Sequence, residues 1–306
     1  MATLRSQSRG VSLFAQDPFD KPDAELDVVE ARLRELSGPD PIARYGIAIR
    51  RSIDEVLDGP RTGRWDFAQL EKTEKTYVGT KLEIIVRASL GLGRGSVLDL
   101  DIAGAPVDIK WAMDSGWQIP LEAVGRICLC IGGMKRLSMF QVGVIRCRAE
   151  YLNEGKNRDR KKTLSMKGRA TMRILVPPAP LPPNFLSTID PTIRAEVMAG
   201  ETIQERVSRL FRLLPRTPIP RDAIATVART TGDPMRRVRS DAWAGDPLDG
   251  MRILSAKYGN SVIDALGYPL LEQNQFMSVP EAEIDRLSAA KKALLPDTVR
   301  RRFDFD

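Results

Sequence analysis

The sequence predicts an α/β (α+β) first domain, with helices packed around a mixed sheet, and a smaller, more helical second domain. Two observations predict the first domain: apolar residues recur at helical spacing between 25 and 57, then follow strand patterns between 97 and 147. A third observation predicts the boundary, because five prolines fall within residues 176–185, where neither a helix nor a central strand can continue. The length of 306 residues suits two domains of ordinary size.

The first domain is predicted to begin with helices and to continue as strands. Apolar residues three or four apart define one face of a helix over 25–37, and the residues before it are predicted to be a loose tail. The further predicted elements are helices over 40–57 and 66–90 and the strands VLDLDI (97–102), PVDIKWAM (106–113), RICLCIGG (126–133) and MFQVGVIRC (139–147).

The second domain shows a helix-turn-helix pattern. An amphipathic helix is predicted over 201–215 and another over 220–229, followed by a turn at Thr230–Gly232. Asp233 and Pro234 then suit the cap and first position of a helix. The segments 251–259 and 274–283 are candidate wing strands, with a helix over 261–267 between them. We therefore predict domains over 1–175 and 196–306, joined by a Pro-rich linker over 176–195; an ordinary helical hairpin is the alternative for 220–243.

The composition restricts the possible chemistry. The chain has 47 Lys and Arg, 40 Asp and Glu and no His, which excludes His-dependent triads and His-ligated zinc sites. Its net charge of +7 favours a nucleic-acid partner. Three cysteines fit neither a disulfide framework nor a zinc site and are interpreted as buried strand residues. With no apolar run of about 20 residues and no secretory signal, we expect a cytoplasmic protein without membrane contact.

The stretch DLDIAGAPVDIKW (99–111) carries the candidate catalytic residues. Asp108 and Lys110 project from the same face of a strand, because side chains alternate along it, and a hairpin could bring Asp99 close to Asp108. With the Ile109 carbonyl and a carboxylate from Glu83, these groups would form an oxygen site suited to Mg²⁺. The metal would activate water on a phosphodiester, with assistance from Lys110. A solvent-facing Asp–Lys pair on an edge strand is the alternative interpretation.

Other polar residues are candidates for DNA contact. Residues in the TGRW loop and the helix after it are candidates for phosphate binding. Residues after the candidate catalytic strand are candidates for base readout, and residues of the second domain for binding in a DNA groove. For Lys72 and Lys75 a solvated helix face is the alternative, and Trp65 is interpreted as a core residue. The candidates are Arg61, Arg64, Lys72 and Lys75; Asp114, Ser115 and Gln118; and Arg236, Arg237 and Arg239.

Five blocks of the chain resemble the NaeI-type restriction endonucleases. They follow in the same order over most of the chain, although the resemblance weakens after about residue 245. The blocks are DGPRTGRWDFAQLEKTEKTYVGTKLEI (58–84), DLDIAGAPVDIKW (99–111), IPLEAVGRICLCI (119–131), NRDRKKTLSMKGRA (157–170) and DAIATVARTTGDPMRRVR (222–239).

The resemblance implies a restriction-endonuclease-like domain that cuts double-stranded DNA with Mg²⁺, followed by a winged-helix domain. The second domain would bind another copy of the site and activate cleavage, the type IIE behaviour, and the enzyme would be a homodimer that reads a GC-rich palindrome such as GCCGGC. The family's catalytic Glu falls on Glu83, its metal-binding Asp pair on Asp99 and Asp108, and its catalytic Lys on Lys110. The family's DCK here reads Asp108-Ile109-Lys110.

Two alternatives remain beside this function: a DNA-binding regulator that does not cleave, and a nicking or repair endonuclease with the same site. The segment VLDGPRTGR (56–64) also resembles the K-x-D-G motif of DNA ligases, but Val56 stands where the adenylated lysine would be. Adenylyl transfer and a nucleotide cofactor are therefore not expected.

Overall fold

The computed structural model describes residues 22–114, 116–154, 161–235, 248 and 250–303. The chain divides into two compact units, which do not coincide with the predicted domains. The first unit comprises residues 1–52 and 76–182, and the second comprises residues 53–75 and 183–306. The segment 53–75, predicted as part of the first domain, thus belongs to the second unit.

A five-stranded mixed sheet forms the centre of the first unit. Its strands are β1 (Leu100–Ile102), β2 (Ala105–Met113), β4 (Ile127–Met134), β5 (Met139–Arg146) and β7 (Arg173–Pro180). They lie in the order β1-β2-β4-β5-β7, and only the pair β2 and β4 is parallel. Two short strands, β3 (Gln118–Ile119) and β6 (Lys162–Thr163), form a separate two-stranded sheet. The predicted mixed sheet is confirmed.

The helices predicted before the sheet are confirmed, with one changed start. The helix predicted to begin at 66 begins at Lys72, because Asp66 accepts a hydrogen bond from Ala68 N and caps a separate 3-10 turn, Phe67–Gln69. The helices of this part of the chain are α1 (Ala24–Ser37), α2 (Pro41–Leu57), α3 (Gly59–Thr62), α4 (Lys72–Ser89) and α5 (Met166–Ala170).

The segment 176–195, predicted as a Pro-rich linker, is not a free linker but contains both strand and helical residues. Residues 173–180 form β7, which lies at the edge of the sheet beside β5. A proline lacks the N–H needed for strand pairing, but an edge strand pairs on one side only, so prolines are tolerated there. The pairing register also shifts twice, near Phe140 and Val142. Residues 185–188 and 191–195 of the predicted linker are also helical, the second of these helices continuing to Met198.

The core on one face of the sheet surrounds the candidate catalytic strand. Cys128, Cys130 and Cys147 are fully buried there with Trp117, and all three cysteines are free, as predicted. Trp117 donates a hydrogen bond from Nε1 to the carbonyl of Ile131 (2.9 Å). This contact fixes the segment that follows β2.

The second unit contains short helices and a three-stranded sheet, in which β10 (Gln275–Pro280) lies between β8 (Ile219–Pro220) and β9 (Met251–Ser255). The predicted helices over 201–215 and 220–229 are present. Each of the two segments predicted as strands, 251–259 and 274–283, contains a strand, but residues 256–259 are helical; the two strands, β9 and β10, pair antiparallel. Their role as a wing stays a prediction. The predicted helix after Asp233 lies outside the described residues beyond Met235. The elements are α6 (Phe185–Thr188), α7 (Pro191–Met198), α8 (Ile203–Leu213), β8 (Ile219–Pro220), α9 (Arg221–Ala228), β9 (Met251–Ser255), α10 (Ala256–Leu266), β10 (Gln275–Pro280), α11 (Glu281–Asp285), α12 (Ala289–Ala293) and α13 (Asp297–Arg302).

Within the described ranges, no helix has both the length and the apolar composition required to cross a bilayer.

Candidate active site

The hairpin of β1 and β2 brings the two predicted metal-binding aspartates together. Asp99 directly precedes β1, and its Oδ2 accepts a hydrogen bond from the backbone N–H of Ile109 (2.9 Å). The Asp99 carboxyl also lies within hydrogen-bonding range of the Asp108 carboxyl. Ile109 is fully buried on the opposite face of β2, as the alternation of the strand predicts.

Lys110 and Asp108 form a close ion pair on this face. Lys110 Nζ lies 2.8 Å from Asp108 Oδ2, with side-chain exposures of 19% and 8%. Although the atoms are close, no donor among the described residues approaches Oδ2 along a hydrogen-bonding direction. Burial raises the pKa of Asp108 to about 6, against the lowering effect of Lys110, and Asp99 raises it further. This buried carboxylate oxygen thus lies against the Lys110 ammonium but has no aligned hydrogen-bond donor among the described residues.

Glu83 on α4 is the third carboxylate of the group. Burial raises the pKa of Glu83 to about 7; Asp99 and Asp108 raise it further, while Lys110 lowers it. The pKa of Lys110 is itself raised, because its attraction to Asp108 and Asp99 exceeds the opposing effect of burial. Two carboxyl groups that ionise near neutral pH, together with a charged lysine, are typical of a catalytic site.

The strand behind the pair contributes buried thiols. Asp108 lies opposite Cys128 in the parallel register, and Lys110 lies opposite Cys130. The pKa of Cys128 is raised well above its usual value by a hydrogen bond to Cys147 and by burial, and burial has the same effect on Cys130. These thiols are protonated at neutral pH and place uncharged side chains beside Asp108 and Lys110.

The donor set fits a small, hard cation. Asp99 and Asp108 supply carboxylate oxygens, the ligands that Mg²⁺ prefers, and one of the Asp108 oxygens lacks an aligned hydrogen-bond donor. The described residues include no cluster of three or more acidic or cysteine side chains arranged around a common point. An ion here would therefore need further oxygen ligands from backbone, water or the substrate.

The structure places the four predicted phosphate contacts of the 61–75 segment in the second unit. Arg64 is held by Glu74 through two hydrogen bonds of 2.8 Å, which lower the pKa of Glu74 to about 2. Arg61 pairs with Asp58 (2.9 Å), and Lys75 Nζ lies 5.8 Å from the centre of the Phe67 ring. Lys72 is exposed. A role of these side chains in DNA contact stays a prediction.

The predicted base-reading segment follows β2. Asp114 is exposed, adopts φ +54°, and donates its backbone N–H to the Gly133 carbonyl (2.7 Å). Gln118 is exposed on β3, opposite Thr163. Base readout by these two residues also stays a prediction. Ser115, Arg236, Arg237 and Arg239 lie outside the described residues.

Trp65 packs on the core of the second unit, as predicted. It is partly buried against that core, and the guanidinium carbon of Arg194 lies 5.3 Å from the centre of its ring. A Trp in this position stabilises the unit by burial of its ring.

Sequence reasoning missed one residue close to the site. Arg87 lies one helical turn after Glu83 on α4 and lowers the pKa of that glutamate. The i, i+4 spacing of Glu83 and Arg87 was the available signal, because residues so spaced share one face of a helix.

A mixed five-stranded sheet with an acidic pair, a lysine two residues after the second acid and a carboxylate from a neighbouring helix fits a nuclease of the restriction-endonuclease-like fold. Comparison with known proteins gives the family. Residues 30–293 match the family described as restriction endonuclease NaeI. The chain is also 35% identical over 287 residues to the type II restriction enzyme NaeI of Lentzea aerocolonigenes, with 89% of each chain covered.

The chain therefore belongs to the NaeI restriction endonuclease family and is a type II site-specific deoxyribonuclease. The family match continues well past residue 245, where the resemblance of the sequence motifs weakens.

Proposed function

We propose that the chain is a Mg²⁺-dependent type IIE restriction endonuclease, with Glu83, Asp99, Asp108 and Lys110 as its catalytic residues. The observation that carries the proposal is the contact of Lys110 with the buried Asp108 (2.8 Å) beside Asp99 at the β1–β2 hairpin. Burial and the neighbouring aspartates also raise the pKa of Glu83, which supports its place near this group. Water attacks the scissile phosphate, which leaves a 5′-phosphate and a 3′-hydroxyl.

Asp99, Asp108 and the Ile109 carbonyl would hold the ion, and Glu83 of α4 would either complete the ligand set or orient the attacking water. When bound, Mg²⁺ supplies a more acidic water and positive charge beside the phosphate. The lack of an aligned hydrogen-bond donor at the buried Asp108 Oδ2, within the described residues, supports this assignment. The repulsion between neighbouring carboxylates, which a cation would relieve, also supports it.

Lys110 acts chiefly through its positive charge. Because its pKa is raised, Nζ carries a proton at neutral pH, and it can donate hydrogen bonds to a phosphate oxygen and to the attacking water. Charge that develops on the phosphate in the transition state is then stabilised by a group already in position. Glu83, which ionises near neutrality, can accept a hydrogen bond from the same water and orient it.

The second unit is proposed as a winged-helix domain that binds an effector copy of the DNA site. The supporting elements are α9, the turn after it and the antiparallel pair β9 and β10. Effector DNA would favour the cleavage-competent state by a coupling free energy of about 1–3 kcal/mol. We further propose a homodimer that reads a GC-rich palindrome such as GCCGGC, with one Asp99–Asp108 site for each strand.

Plasmid cleavage tests the site and its two-site control together. Plasmids with one or two GCCGGC sites are incubated with Mg²⁺ or EDTA, and we expect discrete fragments with Mg²⁺ only, formed faster with two sites. Lys110→Ala and Asp99→Asn should abolish cleavage while retaining DNA binding, measured without cleavage in Ca²⁺.

Asp101→Asn is the matched control, because Asp101 is an exposed aspartate of β1, two residues after Asp99. This variant should cut like the wild type. Cleavage by Lys110→Ala, or equal loss in Asp99→Asn and Asp101→Asn, would contradict the assignment. Nicked plasmid as the end product would indicate a nicking enzyme.

A further inference from the structure

The turn between β4 and β5 has an unusual backbone. Lys135, Arg136 and Leu137 adopt φ values of +47°, +56° and +66° in succession, although none of them is glycine. L-residues rarely adopt this region, and such conformations persist where the surroundings impose them, often at functional sites. The turn therefore needs both a structural cause and a possible role.

The structural cause is the contact of Leu137 with the end of β4. A Cβ atom on Gly133 would lie 2.5 Å from Leu137 Cδ2 and 3.0 Å from the Trp111 ring, so only glycine leaves room for this leucine. Ser138 Oγ also donates a hydrogen bond to the Lys135 carbonyl (3.0 Å). The turn is thus fixed on the sheet, while the side chains of Lys135 and Arg136 are exposed.

These two cations are not neutralised. Within the described part of the chain, neither side chain has a hydrogen bond, ion pair or ring contact. Two arginines elsewhere in the same sheet differ: Arg146 pairs with Glu25 (2.7 Å) and Arg173 with Glu30 (3.2 Å). The turn therefore presents two uncompensated charges on a rigid support.

The strand directions place this turn at the end of β2 that lies beyond its pairing with β1. Because β2 and β4 are parallel, the turn lies beyond the end of β2 that follows Lys110. β1 pairs with β2 only from Ala105 to Val107, so the edge of β2 is free of β1 on that side. Cys130 of β4 lies opposite Lys110 in the pairing register. Lys135 follows Cys130 by five residues, which corresponds to about 16 Å along the chain at about 3.3 Å per residue. A DNA duplex has one charge per about 1.7 Å of its axis, so one bound duplex can reach both positions.

We propose that Lys135 and Arg136 bind phosphates of the duplex being cleaved, on the side of the scissile bond toward which β2 runs. The rigid turn holds the two charges in place before DNA arrives, so less side-chain freedom is lost on binding. Contacts of this kind fix the register of a protein on DNA and carry no sequence information. The proposal rests on the proposed catalytic site at Asp99, Asp108 and Lys110.

The test is the salt dependence of cleavage by the full chain carrying K135Q/R136Q. The measurement is KM and kcat on a short single-site duplex with Mg²⁺ between 50 and 200 mM salt. Two phosphate contacts contribute about 1.8 to the logarithmic salt slope, or about a twelvefold change in affinity over this range. We expect the variant to have a higher KM than the wild type at low salt. The ratio of the two KM values should fall about twelvefold between 50 and 200 mM salt, and kcat should change less.

R126Q is the matched control. Arg126 is exposed and, within the described residues, unpaired, and it lies four residues from Cys130 in the opposite direction along β4. R126Q should show the wild-type salt dependence, and the charge-retaining K135R/R136K should restore it. An unchanged salt slope in K135Q/R136Q, or an equal change in R126Q, would overturn the proposal. Relaxed sequence specificity without a change in slope would also overturn it, because it would indicate base readout. Failure of the proposed catalytic site is seen separately, as cleavage by Lys110→Ala.

Discussion

Replacement of Glu83 by Gln should stabilise the metal-free protein at pH 8. Between pH 4.5, the ordinary pKa of this side chain, and about 7, its pKa in the folded chain, the folded state retains a proton that the unfolded chain has lost. Raising the pH through this window therefore favours unfolding. Gln has no proton to lose, so the variant escapes this loss of stability.

The size of the gain follows from the pKa difference. At about 1.4 kcal/mol per pH unit, the step from 4.5 to about 7 corresponds to a ceiling of about 3 kcal/mol. Glu83 remains partly exposed, so water screens some of this repulsion. We expect Glu83→Gln to raise the free energy of unfolding of its unit by about 1–2 kcal/mol at pH 8, and to leave it almost unchanged at pH 4.5.

Urea unfolding in EDTA at both pH values measures this effect. Glu122→Gln is the control, because Glu122 is an exposed glutamate of the same unit, and its substitution should change stability by less than about 0.5 kcal/mol. Equal stability of Glu83→Gln and the wild type at pH 8 would refute the reasoning. A gain of equal size at both pH values would attribute the effect to packing instead of charge. The same variant should lose most of its cleavage activity, so the carboxylate reduces stability where it serves function.

Two further predictions concern side chains outside the catalytic group. The Arg146 guanidinium holds the pKa of Asp23 at about 2, below the usual 3.8, so this pair stabilises the fold above pH 3.8 and its contribution is lost as the pH falls through about 2. Asp23→Asn should therefore cost about 1–2 kcal/mol at pH 7 and nothing below pH 2, by urea unfolding across that range; a constant difference would exclude the charge effect. Arg206, only 7% exposed, donates hydrogen bonds to the carbonyls of Val227 (2.8 Å) and Gly200 (2.9 Å). Arg206→Met should destabilise the second unit by about 2–4 kcal/mol, because buried carbonyls lose their donors; a calorimetric melt unchanged from the wild type would contradict this.

Asp108 and Lys110, the candidate catalytic pair, illustrate how far a sequence can predict the geometry of a site. The spacing of Asp108 and Lys110 places both on one face of any strand, and the structure confirms it with their 2.8 Å contact. The nearness of Glu83 to this pair could not be predicted from spacing. No local rule relates a helix residue to a strand more than twenty positions later. The sequence therefore offered Glu83 only as a possible further carboxylate, and resemblance to a family then gave it a catalytic role.

Arg64 shows the opposite case. The sequence presents it as a free cation in a loop, and a phosphate contact is a natural prediction. In the folded chain its guanidinium is already held by Glu74, ten residues away across the Phe67–Gln69 turn. The partner of a charged side chain depends on how the loop folds, which the charge pattern does not reveal.

The sequence by itself determined the identity and order of most elements: the helices α1 and α2, the strands around the catalytic stretch and the absence of histidine chemistry. Periodicity suffices for these because it reflects which side of an element is buried. Only the tertiary structure decided that the prolines after residue 175 form a strand and that residues 53–75 belong to the second unit. Proline forbids a central strand and permits an edge strand, and whether a segment lies at an edge is decided by the strands that pair elsewhere in the sheet.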